Sequence, residues 1–542
     1  MAHDDERRDQ QRVDDEGEDE MRGLSGGHTM IVESTPVTVR RVMGTESEFG
    51  ISQPGRPHAN PMRDSARVVD AYAAPLGLKS AQAFWDFASE SPLADARGFL
   101  MSEAHADLTQ LTHLPEMQPD AQYLANVVLP NGARYYVDHA HPEYSSPEVM
   151  TPREAIVWDR AGDRIAEASV RALSGTREPV SLYKNNTDSK GASYGTHENY
   201  IVSRETDFDD IAAGLLPFFA TRQVLCGAGR VGIGRSAEAA GYQISSRADF
   251  FEEQVGLETT LRRPIVNTRD EPHADAHRWR RLHVIIGDAT LAEPAMLVKM
   301  GTTSLVLGLI ESGRCPRLEL ADPVAALQTV SHDLTLSARL PLADGGSLTA
   351  LEIQRLYLDA AREAAGESPD ADTAEVLAEW ERFLTGLETD PMSLAADIDW
   401  VAKLALLEGF RARGLDWDDP KLHLIDVQYS DVRREKGLFH KLESAGRIRR
   451  LTSDAEVDAA VERAPESTRA HVRGGAARRF PTQVAAASWD SVVLERGDGR
   501  LVRIPLRSPH VLTREAVGDI VDAAATADEF ADRLAELAGR GD

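Results

Sequence analysis

Charged and polar side chains recur at every second position in four strand-like segments of this sequence. The first is RRVMGTESEFGIS, from Arg40 to Ser52, in which Glu46 and Glu48 lie two residues apart. Side chains at positions i and i+2 of a strand point to the same face of a sheet, so the two carboxylates are predicted to lie side by side. Any fold for this chain must therefore provide neighbours that can accommodate two acids on one face.

Three later segments, ARYYVDHAH, THENYIV and RRLHVIIGD, show the same one-sided pattern. The residues that share a face are Arg134, Tyr136 and Asp138 in the first, His197 and Asn199 in the second, and Arg281 and His283 in the third. The opposite faces of the first and third segments are largely apolar and can pack on helices. The pattern predicts an α+β fold whose sheet is apolar behind and polar in front, where it forms a concave reaction floor.

A row of carboxylates on one face predicts a bound cation, because like charges repel unless a cation neutralises them. Mg²⁺ prefers oxygen ligands and completes its shell with water and phosphate, whereas Mn²⁺ accepts imidazole more readily. The candidate ligands are Glu46, Glu48, Glu143, His197 and His283. Taken singly, a Glu pair is usual on an exposed sheet face and a lone strand His is usually structural. The recurrence over four strands favours a site.

Two arginines are candidates for binding an anion. Arg269 lies in the polar loop segment NTRDEPHADAH and could hold a phosphate or carboxylate through two hydrogen bonds. Arg247, in ISSRADF, is a weaker candidate because a lone loop arginine is usually solvated. The glycine-rich stretch CGAGRVGIG from Cys226 lacks the Lys-Ser/Thr ending of a P-loop and is interpreted as a turn.

Composition excludes several classes of protein. The 542 residues carry a formal net charge of -28, which argues against general binding to nucleic acid or to anionic lipid. Two cysteines exclude a disulfide framework and a multi-cysteine zinc site. No apolar run approaches the ~20 residues that span a bilayer, and the polar N-terminus does not resemble a signal peptide. We therefore expect a cytoplasmic protein with no membrane partner.

The chain is predicted to have three parts. Residues 1–38 are acidic and lack apolar periodicity, so we expect a disordered leader. The predicted catalytic domain, 39–466, contains a first strand over 38–51, a long irregular stretch over 53–130 that is typical of a functional loop, and mainly helices over 291–415. A small C-terminal α+β domain is predicted over 467–542, with a hairpin in SWDSVVLERGDGRLVRIPL and a final helix that opens on Thr526.

Several long motifs resemble the family of Pup ligases and Pup deamidases/depupylases, known as PafA and Dop in actinobacteria. They are MGTESEFGI, NGARYYVDHAHPEYSSPE, YKNNTDSKGASYGTHENY, NTRDEPHADAHRWRRLHVIIGD and ASWDSVVLERGDGRLVRIP. The likeness runs from about Arg40 to the C-terminal helices. It implies a glutamine-synthetase-like fold, in which a curved antiparallel sheet forms a cradle backed by helices and a small C-terminal domain follows. It also implies Mg²⁺ and ATP as cofactors, and Pup and pupylated proteins as partners.

The resemblance also implies roles for individual residues. The residues that match the family's metal site are Glu46, Tyr136, Glu143, His197 and His283, with Glu48 beside them. Those that match nucleotide positions are Arg134, Ser145, Ser146, Asn199, Arg281 and Trp489. Asp138 matches the catalytic aspartate, and Arg247 and Arg269 match arginines that face phosphate and substrate. From the sequence alone, Trp489 could equally be an interdomain packing residue.

Two features favour the hydrolase branch of the family. The stretch at about 75–125 carries ESPLADARGF and resembles the insert of the Dop branch, which the ligase lacks, and DHAHPEYSSPE is closer to the hydrolase version. The expected reactions are deamidation of the C-terminal Gln of Pup and hydrolysis of the Pup–lysine isopeptide bond. The alternatives are a Pup–protein ligase, a non-catalytic Pup- or nucleotide-binding protein, and a small-molecule amine ligase.

Overall fold

The computed structural model describes residues 35–78, 80, 85–103, 106, 123–188 and 191–538. The predicted leader over 1–38 therefore lies almost entirely outside the described residues, as does a large part of the predicted insert at about 75–125. Residues from Pro36 onward form one compact unit.

Short strands occupy two stretches of the described chain, 43–348 and 484–505. They are β1 (Met43–Glu48), β2 (Gly50–Ser52), β3 (Ala94–Asp95), β4 (Phe99–Leu100), β5 (Asn126–Val128), β6 (Arg134–Asp138), β7 (His141–Ser145), β8 (Ser181–Tyr183), β9 (Thr196–Ser203), β10 (Arg230–Ile233), β11 (Ala239–Gln243), β12 (Phe251–Gly256), β13 (Arg263–Asn267), β14 (Trp279–Val284), β15 (Leu340–Pro341), β16 (Ser347–Leu348), β17 (Val484–Ala487), β18 (Ser491–Glu495) and β19 (Leu501–Pro505).

Helices fill the intervals between the strands and most of the chain from residue 293 to 479. They are α1 (Pro61–Ala73), α2 (Pro152–Leu173), α3 (Phe208–Cys226), α4 (Glu293–Glu311), α5 (Pro323–His332), α6 (Ala350–Ala365), α7 (Ala371–Thr389), α8 (Asp399–Arg411), α9 (Pro420–Tyr429), α10 (Leu438–Ser444), α11 (Asp454–Glu462), α12 (Ala470–Arg479), α13 (Arg514–Ala523) and α14 (Ala527–Ala538).

The central sheet has six strands in the order β14-β9-β1-β7-β6-β5. Every neighbouring pair is antiparallel. All four segments with one-sided polarity therefore lie in this one sheet, as predicted. On its rear face, Tyr200, Leu282 and Val284 join a large apolar cluster that includes α3, α4, α6 and α7. The opposite, polar face is left open to build a site.

Two predicted strands are interrupted in the structure. The predicted strand over 38–51 breaks at Phe49 into β1 and β2, and β2 pairs with β8 outside the central sheet. The segment ARYYVDHAH folds into a hairpin, because His139 and Ala140 turn the chain between β6 and β7 and Asp138 pairs with His141. The turn brings Glu143 onto the same polar face as Asp138, which one continuous strand would not do.

Within the described chain, α4 is the one helix that is long and apolar enough to cross a membrane by length and composition, and 94% of it is buried in the protein. Its residues Met300, Leu305 and Leu309 are fully buried in the large apolar cluster, so it serves as a core helix.

The C-terminal residues build a second, smaller apolar cluster. The three-stranded sheet β17-β18-β19 packs with α12, α13 and α14 around Phe530, Leu494 and Val521. The predicted hairpin is β18–β19, and Gly499 takes a φ of 82° in its turn. Thr526 begins the last helix and accepts a hydrogen bond from the Glu529 amide at 3.2 Å. The domain boundary at residue 467 stays a prediction.

Candidate active site

A cavity of about 390 Å³ lies against the polar face of the central sheet. Eleven of the fifteen residues singled out in the sequence line this cavity, and two more line a smaller adjoining pocket described below. The singled-out residues in the larger cavity are Glu46, Arg134, Tyr136, Asp138, Glu143, Ser145, His197, Arg269, Arg281, His283 and Trp489. Ser146 and Asn199 line the smaller pocket, which makes thirteen in the two together. Glu48 is not among the lining residues of either pocket, but it lies on the same polar face of the sheet, opposite Glu143.

Strand register explains how one carboxylate meets two imidazoles. Glu46 on β1 lies opposite His197 on β9. Its carboxylate is 3.0 Å from His197 Nδ1 and 3.5 Å from His283 Nε2, and it accepts a 2.9 Å hydrogen bond from Asn199. Burial raises the pKa of Glu46, but its interactions with the two histidines outweigh burial and hold the pKa well below the usual range. Glu46 is therefore ionised at neutral pH.

Three further carboxylates gather beside this group. Glu48 on β1 lies opposite Glu143 on β7, and one carboxylate oxygen each of Glu48, Asp138 and Glu143 lies within 4.8 Å of the other two. Burial, together with the charges of Asp138, Glu46 and Glu48, raises the pKa of Glu143 well above the usual range. This concentration of negative charge is unfavourable for the protein alone and favours a cation.

The residues present fit a divalent cation. Neither ring nitrogen of the buried His283 makes a hydrogen bond among the described residues, and burial and Arg281 lower the pKa of His283 to about 3. A neutral imidazole can act as a metal ligand, and so can the carboxylates of Glu46, Glu48 and Glu143. Gly195 is needed beside them, because a Cβ there would lie 2.3 Å from His197 Nε2 and 2.5 Å from a Glu48 oxygen.

Asp138 ends β6 at the rim of this acidic group. Its Oδ2 lies 2.6 Å from Nδ1 of His139. Burial raises the pKa of Asp138, but the charge and hydrogen bond of His139 lower it to below the usual value. Asp138 is thus an ionised carboxylate that faces the cavity, as a nucleophile or a general base requires.

Aromatic rings hold Arg134 in the cavity wall. Its guanidinium lies 3.8 Å from the centre of the Tyr136 ring and 3.9 Å from that of the Trp85 ring, while Nε donates to Asn126 at 3.1 Å. Cation–π contacts of this kind fix an arginine and leave its outer N–H groups available for an anion.

A smaller pocket of about 70 Å³ adjoins the cavity and shares Glu46, Ser145, His273, Arg281 and Trp489 with it. Ser146 accepts a 2.9 Å hydrogen bond from the Thr45 amide at its edge. Arg281 donates to Asn199 at 2.7 Å. Apolar residues such as Val42, Ile201 and Pro509 contribute the other walls. The smaller pocket is thus largely apolar, and it opens into the larger, charged cavity.

The two arginines singled out for anion binding occupy different places. Arg269 lines the cavity, and its buried Nε has no hydrogen-bond partner among the described residues. Arg247 is 1% exposed and donates to the carbonyl oxygens of Ile285 and Gly287, the latter at 3.0 Å. The structure does not bring Arg247 to the cavity wall, because its guanidinium is used to hold the chain after β14.

Sequence reasoning did not assign a role to Glu271 or Glu90. Buried Glu271 lies 3.2 Å from Arg281 and 3.8 Å from Arg269, and it accepts a 2.7 Å hydrogen bond from the Ser91 amide. Glu90 accepts from Trp85 Nε1 at 2.6 Å, and its pKa is raised, mainly by burial. The described part of the insert is thereby attached to the cavity wall, through contacts far apart in sequence that no local pattern could reveal.

Comparison with known proteins gives consistent results. The family model described as "Pup-ligase protein" matches residues 41–493. A depupylase from Acidothermus cellulolyticus is 52% identical over 91% of this chain and 98% of its own length. A Pup deamidase/depupylase from Mycolicibacterium smegmatis is 50% identical over 92% of this chain and all of its own length.

Ligases of the family are also similar, at lower identity. A Pup–protein ligase from Xylanimonas cellulosilytica is 40% identical over 74% of this chain and 90% of its own. The solved complex of Pup with its ligase PafA superimposes with a TM-score of 0.72, at 34% identity, over 93% of this chain and 94% of that one. PafA with ADP gives 0.66, at 37% identity, over 77% and 90%. The predicted fold class is confirmed, and this chain belongs to the Pup ligase family.

Proposed function

We propose that this chain deamidates the C-terminal Gln of Pup to Glu and hydrolyses the isopeptide bond between Pup and substrate lysines. The observation that carries the proposal is the pattern of identity. Relatives named depupylase or Pup deamidase/depupylase are 50–52% identical over nearly their whole length, whereas the ligase matches at 40% over 74% of this chain. Pup and pupylated proteins are then its partners, and the cytoplasm is its expected location.

ATP and Mg²⁺ are the proposed cofactors. The base and ribose would occupy the smaller pocket beside Ser146, Asn199 and Trp489, and the phosphates would extend into the cavity toward Arg134 and Arg281. Support comes from the pocket geometry and from the ADP bound by the similar ligase. The metal would be held by Glu46, Glu48, Tyr136, Glu143, His197 and His283. When bound, it would neutralise the acidic group and polarise a phosphoryl or carbonyl oxygen in the cavity.

Asp138 is the proposed catalytic residue, because both reactions attack the same γ-carbonyl carbon of Pup. It either attacks this carbon directly or takes a proton from the attacking water. The unpartnered Nε of Arg269 in the cavity suits a developing oxyanion. Glu271 holds Arg269 and Arg281 from the other side and so fixes their spacing. Arg247 would act indirectly, by supporting the chain after β14.

The proposal is tested by incubating the purified chain with Pup that ends in Gln, ATP and Mg²⁺, and by following the mass of Pup. Conversion of Gln to Glu and release of a lysine peptide from a Pup conjugate are expected. The Asp138→Asn variant is the matched control and should lose on the order of 10³-fold in rate.

Each alternative predicts a different outcome of the same assay. A ligase would leave Pup-Gln unchanged and join Pup-Glu to lysine. A non-catalytic binding protein would bind Pup or nucleotide without turnover. A small-molecule amine ligase would consume ATP with glutamate and an amine in the absence of Pup.

A further inference from the structure

The turn between β6 and β7 places a histidine where the backbone favours glycine. Asp138 and His141 pair across the turn, and His139 takes a φ of 52° at its first position. A two-residue hairpin turn with positive φ at the first position is best filled by Gly, and an L residue there costs about 1 kcal/mol or more. Such strain beside a reacting group is a reason to look for a function of the side chain.

The His139 ring forms part of the wall of the large cavity. Its Nδ1 is 2.6 Å from Asp138 Oδ2, and its side chain is 35% exposed. No hydrogen bond to Nε2 is present among the described residues. One ring nitrogen is therefore fixed by the catalytic carboxylate, and the other is free to meet a substrate.

The surroundings of His139 keep the ring protonated. The Asp138 carboxylate raises the pKa of His139 to about 9; burial lowers it, the charge of Glu48 raises it, and Arg269 lowers it. The arginines of the cavity cannot be deprotonated, so they cannot act as general acids. The protonated ring is thus suited to give a proton next to Asp138.

We propose that His139 is a further catalytic residue, which protonates the amine that leaves when the amide bond is broken. This rests on the proposed hydrolase function. After attack at the γ-carbonyl carbon, the C–N bond breaks, its electron pair stays on nitrogen, and the Nε2 proton passes to that nitrogen. The water that supplies the hydroxyl of the new carboxyl group returns a proton to the ring, directly or through Asp138. Ammonia leaves from Pup-Gln and a lysine amine leaves from a conjugate, so both reactions need this proton.

The test compares two leaving groups in the variants His139→Gly and His139→Asn. Both residues tolerate positive φ, so neither should weaken the turn, and Gly should keep or raise the melting temperature. With a Pup–lysine conjugate we expect kcat to fall roughly 10²- to 10⁴-fold. With a p-nitrophenyl γ-ester of Pup, whose phenolate leaves without a proton, the loss should stay below about tenfold, because protonation contributes little to that step.

Equal losses on the two substrates would overturn the proposal, since they would mean that His139 only positions Asp138. Unchanged isopeptide cleavage in both variants would overturn it as well. His277→Gln, which changes an exposed histidine outside the cavity, should leave both rates unchanged. Failure of the unsubstituted protein to cleave the conjugate would instead reject the proposed function.

Discussion

Buried acids lie on both faces of the central sheet, and they differ in how their charges are satisfied. On the rear face, Glu198 is 0% exposed, yet its two oxygens accept 2.8 Å hydrogen bonds from Arg222 and a 2.7 Å bond from Tyr200. On the front face, Glu143 is 2% exposed, accepts a long 3.4 Å hydrogen bond from the Ser145 hydroxyl and has Tyr136 beside it, but no cationic side chain of the described residues forms an ion pair with it. Both carboxylates are buried to a similar extent. The protein itself neutralises Glu198 on the rear face, whereas Glu143 on the front face needs a bound cation.

The largest effect on stability is expected from Glu198→Ala. This change leaves the buried Arg222 guanidinium without its carboxylate, which costs roughly 3–5 kcal/mol in the free energy of unfolding. Urea denaturation measures the loss. Glu205→Ala, which removes an exposed acid just after the same strand, should change stability by no more than ~0.5 kcal/mol. Equal effects of the two variants would show that the rear ion pair is not structural.

The pH dependence of stability tests the same comparison at Glu148, which, like Glu198, is neutralised by arginines of the protein itself. It accepts a 2.7 Å hydrogen bond from Arg469 and further bonds from Arg473. Burial raises its pKa, but the two arginines outweigh burial and lower the pKa to about 2. The stabilisation is therefore fully present above the unfolded pKa of about 4.3 and is lost as pH falls toward 2. It amounts to on the order of 3 kcal/mol.

The measurement is urea unfolding between pH 5 and pH 2 for the unsubstituted protein and for Glu148→Gln. The substituted protein should be less stable at neutral pH and should show a shallower loss of stability in acid. Parallel pH curves would contradict the assignment of this acid-dependent stability to Glu148.

For Glu143 the expected sign is reversed. Its pKa is raised, so folding is penalised as pH rises through the unfolded pKa and on toward the folded one. Glu143→Gln should therefore increase stability by about 1 kcal/mol at neutral pH without metal. The same change should weaken Mn²⁺ binding at least roughly tenfold, because a ligand is lost. Thermal unfolding in chelator and calorimetric titration with Mn²⁺ measure the two effects. A destabilised metal-free variant would mean that Glu143 is satisfied like Glu198.

The sequence predicted the front face well because strand periodicity is a local property. Alternation alone brought Arg134, Tyr136 and Asp138 to one face, and the recurrence of polar residues in other strands indicated their partners. Glu143 was a candidate ligand by residue type, but its position on the same face follows from the turn at His139, which the pattern of ARYYVDHAH does not show because histidine is not a usual residue for such a turn.

Long-range contacts explain what could not be predicted. The hydrogen bond from the Ser91 amide to Glu271 joins residues 180 positions apart, and local periodicity cannot predict such a contact. Arg247 looked like a solvated loop arginine, or one that faces a ligand, but tertiary packing surrounds it with backbone carbonyls. Alternation along THENYIV puts Glu198 on the face opposite His197 and Asn199, yet the sequence could not show that Arg222 of α3 would neutralise it.

The smallest effect is expected from Trp489→Leu, at the junction of the cavity and the C-terminal sheet. Its ring lies 5.4 Å from that of Trp85 and 4.9 Å from the Arg473 guanidinium, and it lines both the cavity and the smaller pocket. If it stacks on nucleotide, ATP affinity should fall about fivefold, or about 1 kcal/mol, as a calorimetric titration would measure. Trp158→Leu, on α2 and outside both pockets, should leave ATP affinity unchanged. An unchanged affinity in Trp489→Leu, with a lowered melting temperature, would make Trp489 a packing residue. Among the residues of the smaller pocket, Arg281 and Asn199 would then remain as the nucleotide-binding candidates at this end of the front face.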